Sequence, residues 1–145
     1  MAFKSIAIGS DHAGFDLKAK LAEELRTSGY EVLDLGTKDA TTSVDYPDFG
    51  KAVAEAVTSG KADGGVVVCG TGIGISIAVN RTPGVRAALC HDETTARLSR
   101  EHNDANVLAL GARIIGESVA KDCLHAFLTT DFAGDRHVRR VEKLG

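Results

Sequence analysis

Short apolar runs alternate with amphipathic stretches along the whole chain. Ile6-Ala7-Ile8-Gly9 and Val32-Leu33-Asp34-Leu35 are the first two strand-like runs. Gly65 to Cys69, Val85 to Cys90 and Asn106 to Leu110 are the next three. Aliphatic, β-branched runs with little polar alternation read as strands buried on both faces. Between them the spacing turns helical. Leu17, Leu21 and Leu25 share one face of a predicted helix over Phe15 to Ser28, which Gly29 stops. Pro47 opens a second helix through Val57, stopped by Gly60. Further helices are predicted over Ile75 to Asn80, from an Asp92 N-cap through Arg100, and over Glu117 to Leu128. Arg136 to Leu144 adds a short basic helix, and the polar segment Thr37 to Val44 is a loop. Strands alternating with helices predict one α/β domain over residues 1–145. It is a single-domain, doubly wound, Rossmann-like α/β/α three-layer fold with a five-stranded parallel sheet. The pattern leaves strand order open.

Composition changes that picture little. A chain of 145 residues suits one core, and 43% hydrophobic with 26% charged residues is ordinary for a globular domain. A net charge of −3 argues against nucleic-acid binding, so any anionic ligand needs a local basic cluster. The N-terminus lacks the apolar run of a signal peptide, and no segment is long enough to span a membrane. Cys69, Cys90 and Cys123 are odd in number and widely spaced. They fit reduced thiols in the cytoplasm, without disulfide or zinc spacing.

The candidate chemistry centres on Val66-Val67-Val68-Cys69-Gly70-Thr71-Gly72-Ile73-Gly74-Ile75-Ser76. An apolar strand ends in a thiol, and glycines follow at every second position. Glycines let backbone approach a ligand, and a helix N-terminus favours negative charge. That helix start is expected to lower the Cys69 pKa from about 8.5. A cysteine phosphatase would want an arginine where Ile75 stands, and the G-x-G-x-x-G dinucleotide pattern breaks at the same residue. Asp11-His12-Ala13-Gly14 follows the first strand, on the same predicted sheet edge as Cys69. Glu101-His102-Asn103-Asp104 offers a histidine that titrates near neutrality. Arg136 and Arg140, four apart on a helix, share a face that suits a phosphate. Asp11, His12, His91 and Asp92 lack the spacing of metal ligands.

Taken together these motifs resemble the type B ribose-5-phosphate isomerases, whose relatives act on galactose and allose 6-phosphates. The resemblance spans nearly the whole chain. It rests on Gly9 to Gly14, Asp45-Tyr46-Pro47, Val68 to Ser76, Glu101 to Asp104, Gly111-Ala112-Arg113 and the Arg136/Arg140 tail.

The resemblance implies aldose–ketose isomerisation of a sugar phosphate through an enediolate, with no cofactor and no metal. It implies Cys69 as the base, Gly70, Thr71, Gly72, Ile73 and Gly74 as the loop holding the enediolate oxygens, and Thr71 as an aid to proton movement. His102, assisted by Asp11, would open the furanose ring. His12, Arg136 and Arg140 would bind the phosphate, and Asn103, Arg113 and Tyr46 would line the substrate. Some relatives place a glutamate where this chain has Ile75, so the chain falls with the cysteine type. The resemblance also implies a homodimer or homotetramer, with His102, Asn103 and Arg113 reaching a neighbour's Cys69. Ribose 5-phosphate is the expected substrate. A six- or four-carbon sugar phosphate is the alternative, and a non-catalytic phosphosugar-binding protein the rival of another class.

Overall fold

The structure is a computed structural model that describes residues 3–145. Its strands are β1 (Ser5–Ser10), β2 (Glu31–Asp34), β3 (Gly64–Cys69), β4 (Ala87–Leu89) and β5 (Val107–Gly111). Its helices are α1 (Phe15–Thr27), α2 (Tyr46–Thr58), α3 (Ile73–Asn80), α4 (Glu93–Asn103), α5 (Glu117–Thr129) and α6 (Arg136–Leu144). All strand pairs are parallel, in the order β2-β1-β3-β5-β4.

Alternation along each strand divides the core. Ile6, Ile8, Val66, Val68, Leu108 and Leu110 pack with Leu17, Leu21 and Leu25 of α1, Ala96 of α4 and Leu124 and Phe127 of α5. Ala7, Val67, Cys69 and Ala109 face the other way, onto Val53 and Ala54 of α2 and Ile75 and Val79 of α3. These are the two helical layers the strand–helix alternation predicts. α6 lies outside them, against α4.

Three elements differ from the sequence reading by more than one residue at a boundary. β4 keeps only Ala87 to Leu89 of the expected Val85–Cys90 run. Asn80 explains part of this: its side chain accepts from the Ala87 N–H at 2.7 Å and donates to the Ala87 carbonyl at 3.0 Å. An amide thereby takes the place a further strand would occupy on this edge. α3 begins at Ile73, because Gly72 adopts φ +78° and turns the chain straight into the helix. α4 runs through Asn103 and not only Arg100, so His102 lies in its last turn.

Candidate active site

The strand order reverses direction between β1 and β3, since the chain moves from β1 outward to β2 and then returns to β3 on the other side. In open α/β sheets the crevice beyond the carboxyl ends at such a point takes the ligand. Here it is flanked by Asp11-His12 and by the Cys69 loop. The two turns touch: the Asp11 N–H donates to the Val68 carbonyl at 3.3 Å. A Cβ on Gly14 would fall 2.6 Å from that same carbonyl oxygen, so only glycine permits the approach. The Asp11 carboxylate accepts from the Gly14 N–H at 3.0 Å and is buried. His12 Nδ1 accepts from the Val44 N–H at 3.2 Å, which leaves the ring proton on Nε2.

Cys69 closes β3, and its sulfur is buried beneath the glycine loop. The Gly72 N–H donates to Sγ at 3.1 Å, and the Ile73 N–H donates to Thr71 Oγ1 at 3.1 Å. Within the Gly70–Gly74 loop, the Gly72 and Ile73 N–H groups thus already serve the thiol and the Thr71 hydroxyl.

The turn after β5 completes this edge. The Ala112 N–H donates to the Cys69 carbonyl at 2.9 Å and the Arg113 N–H to the Gly70 carbonyl at 2.9 Å. The Arg113 guanidinium lies over Gly70, where a Cβ would sit 3.2 Å from Nη1. Tyr46 rests on Gly74, whose added Cβ would meet its ring at 2.6 Å. Asp11, His12, Tyr46, Cys69, Thr71 and Arg113 thus form one carboxyl-edge cluster.

His102 and Asn103 do not join it. α4 runs back across the sheet from the carboxyl end of β4 and ends at the amino edge. There Arg86, just before β4, donates to the Asn103 carbonyl at 3.2 Å. Cys69 pairs with Gly111, whereas Val107 starts β5 near Asn103. Four strand steps between them amount to about 13 Å. α5 also returns to the amino edge, where the Arg100 Nε donates to the Thr130 carbonyl at 3.1 Å. The Ala133 N–H then donates to the Glu101 carbonyl at 3.0 Å, so α6 starts beside the end of α4. His102, Asn103, Arg136 and Arg140 form a second cluster there. Arg113 stands apart from His102 and Asn103, on its own chain's Gly70. His91 and Asp92 follow β4, with β3 and β5 between them and Asp11 and His12 after β1.

Sequence reasoning missed His137. Its ring stacks on His102 with centroids 4.4 Å apart and planes 16° apart. Burial, then the charges of Arg136, His102 and Arg140, lower its pKa below the ordinary histidine value. Burial likewise raises the Cys90 thiol, and pushes Cys123 up to about 12. Neither of these thiols lies on the carboxyl-edge cluster.

The sequence profile of the ribose/galactose isomerase family matches residues 6–144. The chain belongs to this family. It is 47% identical to ribose-5-phosphate isomerase B of Escherichia coli, over 97% of this chain and 94% of that one. It is 42% identical to D-erythrulose-4-phosphate isomerase of Pectobacterium atrosepticum, over 97% of this chain and 93% of that one. Among solved structures, ribose-5-phosphate isomerase B of Clostridium thermocellum superposes with a TM-score of 0.95. The two are 56% identical, covering 97% of this chain and 95% of that one. The family consists of sugar-phosphate isomerases, and the fold is theirs. No helix among the described residues is long and apolar enough to cross a membrane.

Proposed function

We propose that this enzyme interconverts ribose 5-phosphate and ribulose 5-phosphate in the cytoplasm, with Cys69 as the base. The observation that carries the reading is a thiol at the switch-point crevice with a backbone N–H aimed at its sulfur. The thiolate takes the proton from the carbon beside the carbonyl. Loop N–H groups not turned inward, together with Thr71, steady the enediolate oxygens and help the proton pass between them. An unperturbed thiol is only a few per cent ionised at pH 7, so a donor on sulfur serves the chemistry.

His102 opens the furanose, with Asp11 assisting, and His12, Arg136 and Arg140 hold the phosphate. The distance between the two edges supports a site shared by two copies of the chain, one giving Cys69 and Asp11, the other His102, Asn103, Arg136 and Arg140. Exposed Ile73 and Ile77, 52% and 56% accessible on α3 beside the loop, give such a homodimer an apolar surface to cover.

The sugar is the finer question, because relatives include an erythrulose-phosphate isomerase and the family description includes galactose. A four-carbon aldose carrying its phosphate on the last oxygen cannot close a furanose and needs no ring-opening histidine. His102 therefore favours a sugar phosphate that enters as a closed ring, a pentose or a hexose, over a tetrose; the nearly full-length likeness to ribose-5-phosphate isomerase B favours the pentose. The test is turnover of chelator-treated protein on ribose 5-phosphate, allose 6-phosphate, galactose 6-phosphate and erythrose 4-phosphate side by side. Preference for ribose 5-phosphate, lost in Cys69→Ala, is the expected result. Preference for a hexose or tetrose phosphate overturns the substrate, and full turnover in Cys69→Ala overturns the base.

A further inference from the structure

We propose that His137 is a positioning residue for His102, fixing the orientation of its imidazole by stacking flat against it. The proposal rests on the reading of His102 as the ring-opening acid/base. α6 is otherwise a helix of exposed or half-exposed residues, and His137 is its one buried member, 9% accessible. That side chain goes against the His102 ring, at 4.4 Å between centroids and 16° between planes.

The corner holding the stack is built into the backbone. Gly134 at φ +68° and Asp135 at φ +53° both stand in the left-handed region. They turn the chain sharply into α6, where the His137 N–H donates to the Gly134 carbonyl at 3.0 Å. One residue before His102, the Glu101 carbonyl accepts from the Ala133 N–H at 3.0 Å. Two independent contacts thus tie the end of α4 to the start of α6.

An imidazole on the last turn of a helix rotates about two side-chain bonds, and proton transfer needs one geometry. A flat neighbour restricts the ring plane, and one aliphatic side chain of similar volume does not. The groups facing His137 are Arg136 and Arg140 on its own helix, Asp135 just before it, and His102 on α4. Burial, then the charges of Arg136, His102 and Arg140, lower its pKa below the ordinary histidine value, which favours a neutral platform. The same stack keeps His102 in register with Arg136 and Arg140, which α6 carries.

The test compares His137→Leu with His137→Phe in the assembled enzyme, using two assays. The forward assay is isomerisation of ribose 5-phosphate, which enters as a closed ring. The second is exchange of the C1 proton of ribulose 5-phosphate in heavy water, followed by NMR. Ribulose 5-phosphate cannot close a furanose, so its exchange reports proton abstraction without ring opening.

His137→Leu is expected to lower forward kcat by about tenfold, part of the 10²–10⁴ a positioned acid/base contributes. Its exchange rate should fall far less. His137→Phe, planar and uncharged, should recover most of the forward rate. Equal behaviour of the Leu and Phe variants reduces His137 to packing and overturns the proposal. A raised KM at unchanged kcat in both makes it a phosphate contact, and also overturns it. Cys69→Ala and His102→Asn are run alongside. Exchange that persists in Cys69→Ala defeats the base assignment and leaves the stack standing. Undiminished forward turnover in His102→Asn removes the acid/base and the proposal with it.

Discussion

At the scale of single residues, the site depends on side chains that are missing as much as on those present. Gly72 adopts φ +78°, and a Cβ there would fall 2.5 Å from Leu89 Cδ1 and 2.8 Å from the Leu110 carbonyl carbon. Backbone cannot retreat as a flexible side chain can, and the N–H that would be displaced is the one on Cys69 Sγ. Gly72→Ala is expected to cost about 1–3 kcal/mol of stability and at least about tenfold in kcat. Chemical denaturation and steady-state kinetics measure the two separately, and a variant near wild type in both contradicts the account. His137 supplies a pH prediction. Its folded pKa is lowered by burial and by Arg136, so the folded protein binds fewer protons there than the unfolded chain. The stability it contributes is complete above about pH 6.5 and is lost as pH falls through that value toward the lower folded pKa. Melting temperature should therefore decline as pH falls below about 6.5, and His137→Phe should flatten that decline. Identical slopes for the two proteins would show that the folded histidine is not held neutral.

At the scale of elements, most boundaries follow from local chemistry. Asp92 precedes Glu93-Thr94-Thr95, and its carboxylate accepts from the Thr95 N–H at 2.7 Å, the N-cap its sequence position predicts. Asp92→Ala should cost about 1 kcal/mol, or roughly 3 °C in melting temperature for a domain of this size. Calorimetry decides it, and an unchanged midpoint would mean that water caps the helix equally well. The same position leaves His102 at the far end of α4, so the cap stabilises the helix without touching the chemistry. Lys18 is an element-scale feature the periodicity conceals. It lies among the buried positions of α1, where its Nζ meets Asp34 at 2.8 Å at the end of β2. Asp34 in turn accepts from the Gly36 N–H at 3.0 Å. The Gly36 carbonyl takes the Ser10 N–H at 2.8 Å, so an ion pair between a buried lysine and an exposed aspartate braces the loop beside β1.

At the scale of the whole molecule, the layout of the sheet separates the two halves of the proposed chemistry. Every helix following a strand runs back toward the amino edge. Residues at a helix end therefore stand a sheet's height from residues at a strand end. Complementation tests the shared site. Cys69→Ala and His102→Asn proteins are each expected to be inactive alone. Mixed dimers formed on co-expression should recover about a quarter of wild-type activity, one intact site in half of the dimers. No recovery would place both residues in the same chain's site and demand a rearrangement of α4.

The sequence by itself determined the elements, their class and the family. Periodicity, glycine stops and the Asp92 cap act within a few residues, and the order of motifs from Asp11 to Arg140 is visible along the chain. It also marked Cys69 and its loop, because a strand ending in a thiol followed by alternating glycines is a local signal. Only the tertiary structure decided the order β2-β1-β3-β5-β4, which depends on packing between distant segments. That order made the β1–β3 crevice the candidate site, set Arg113 over Gly70, and sent His102 and Asn103 to the opposite edge. His137 was illegible for the same reason. Its sequence neighbours are charged and exposed, and the ring it meets lies 35 residues earlier, brought beside it by α5 crossing the sheet.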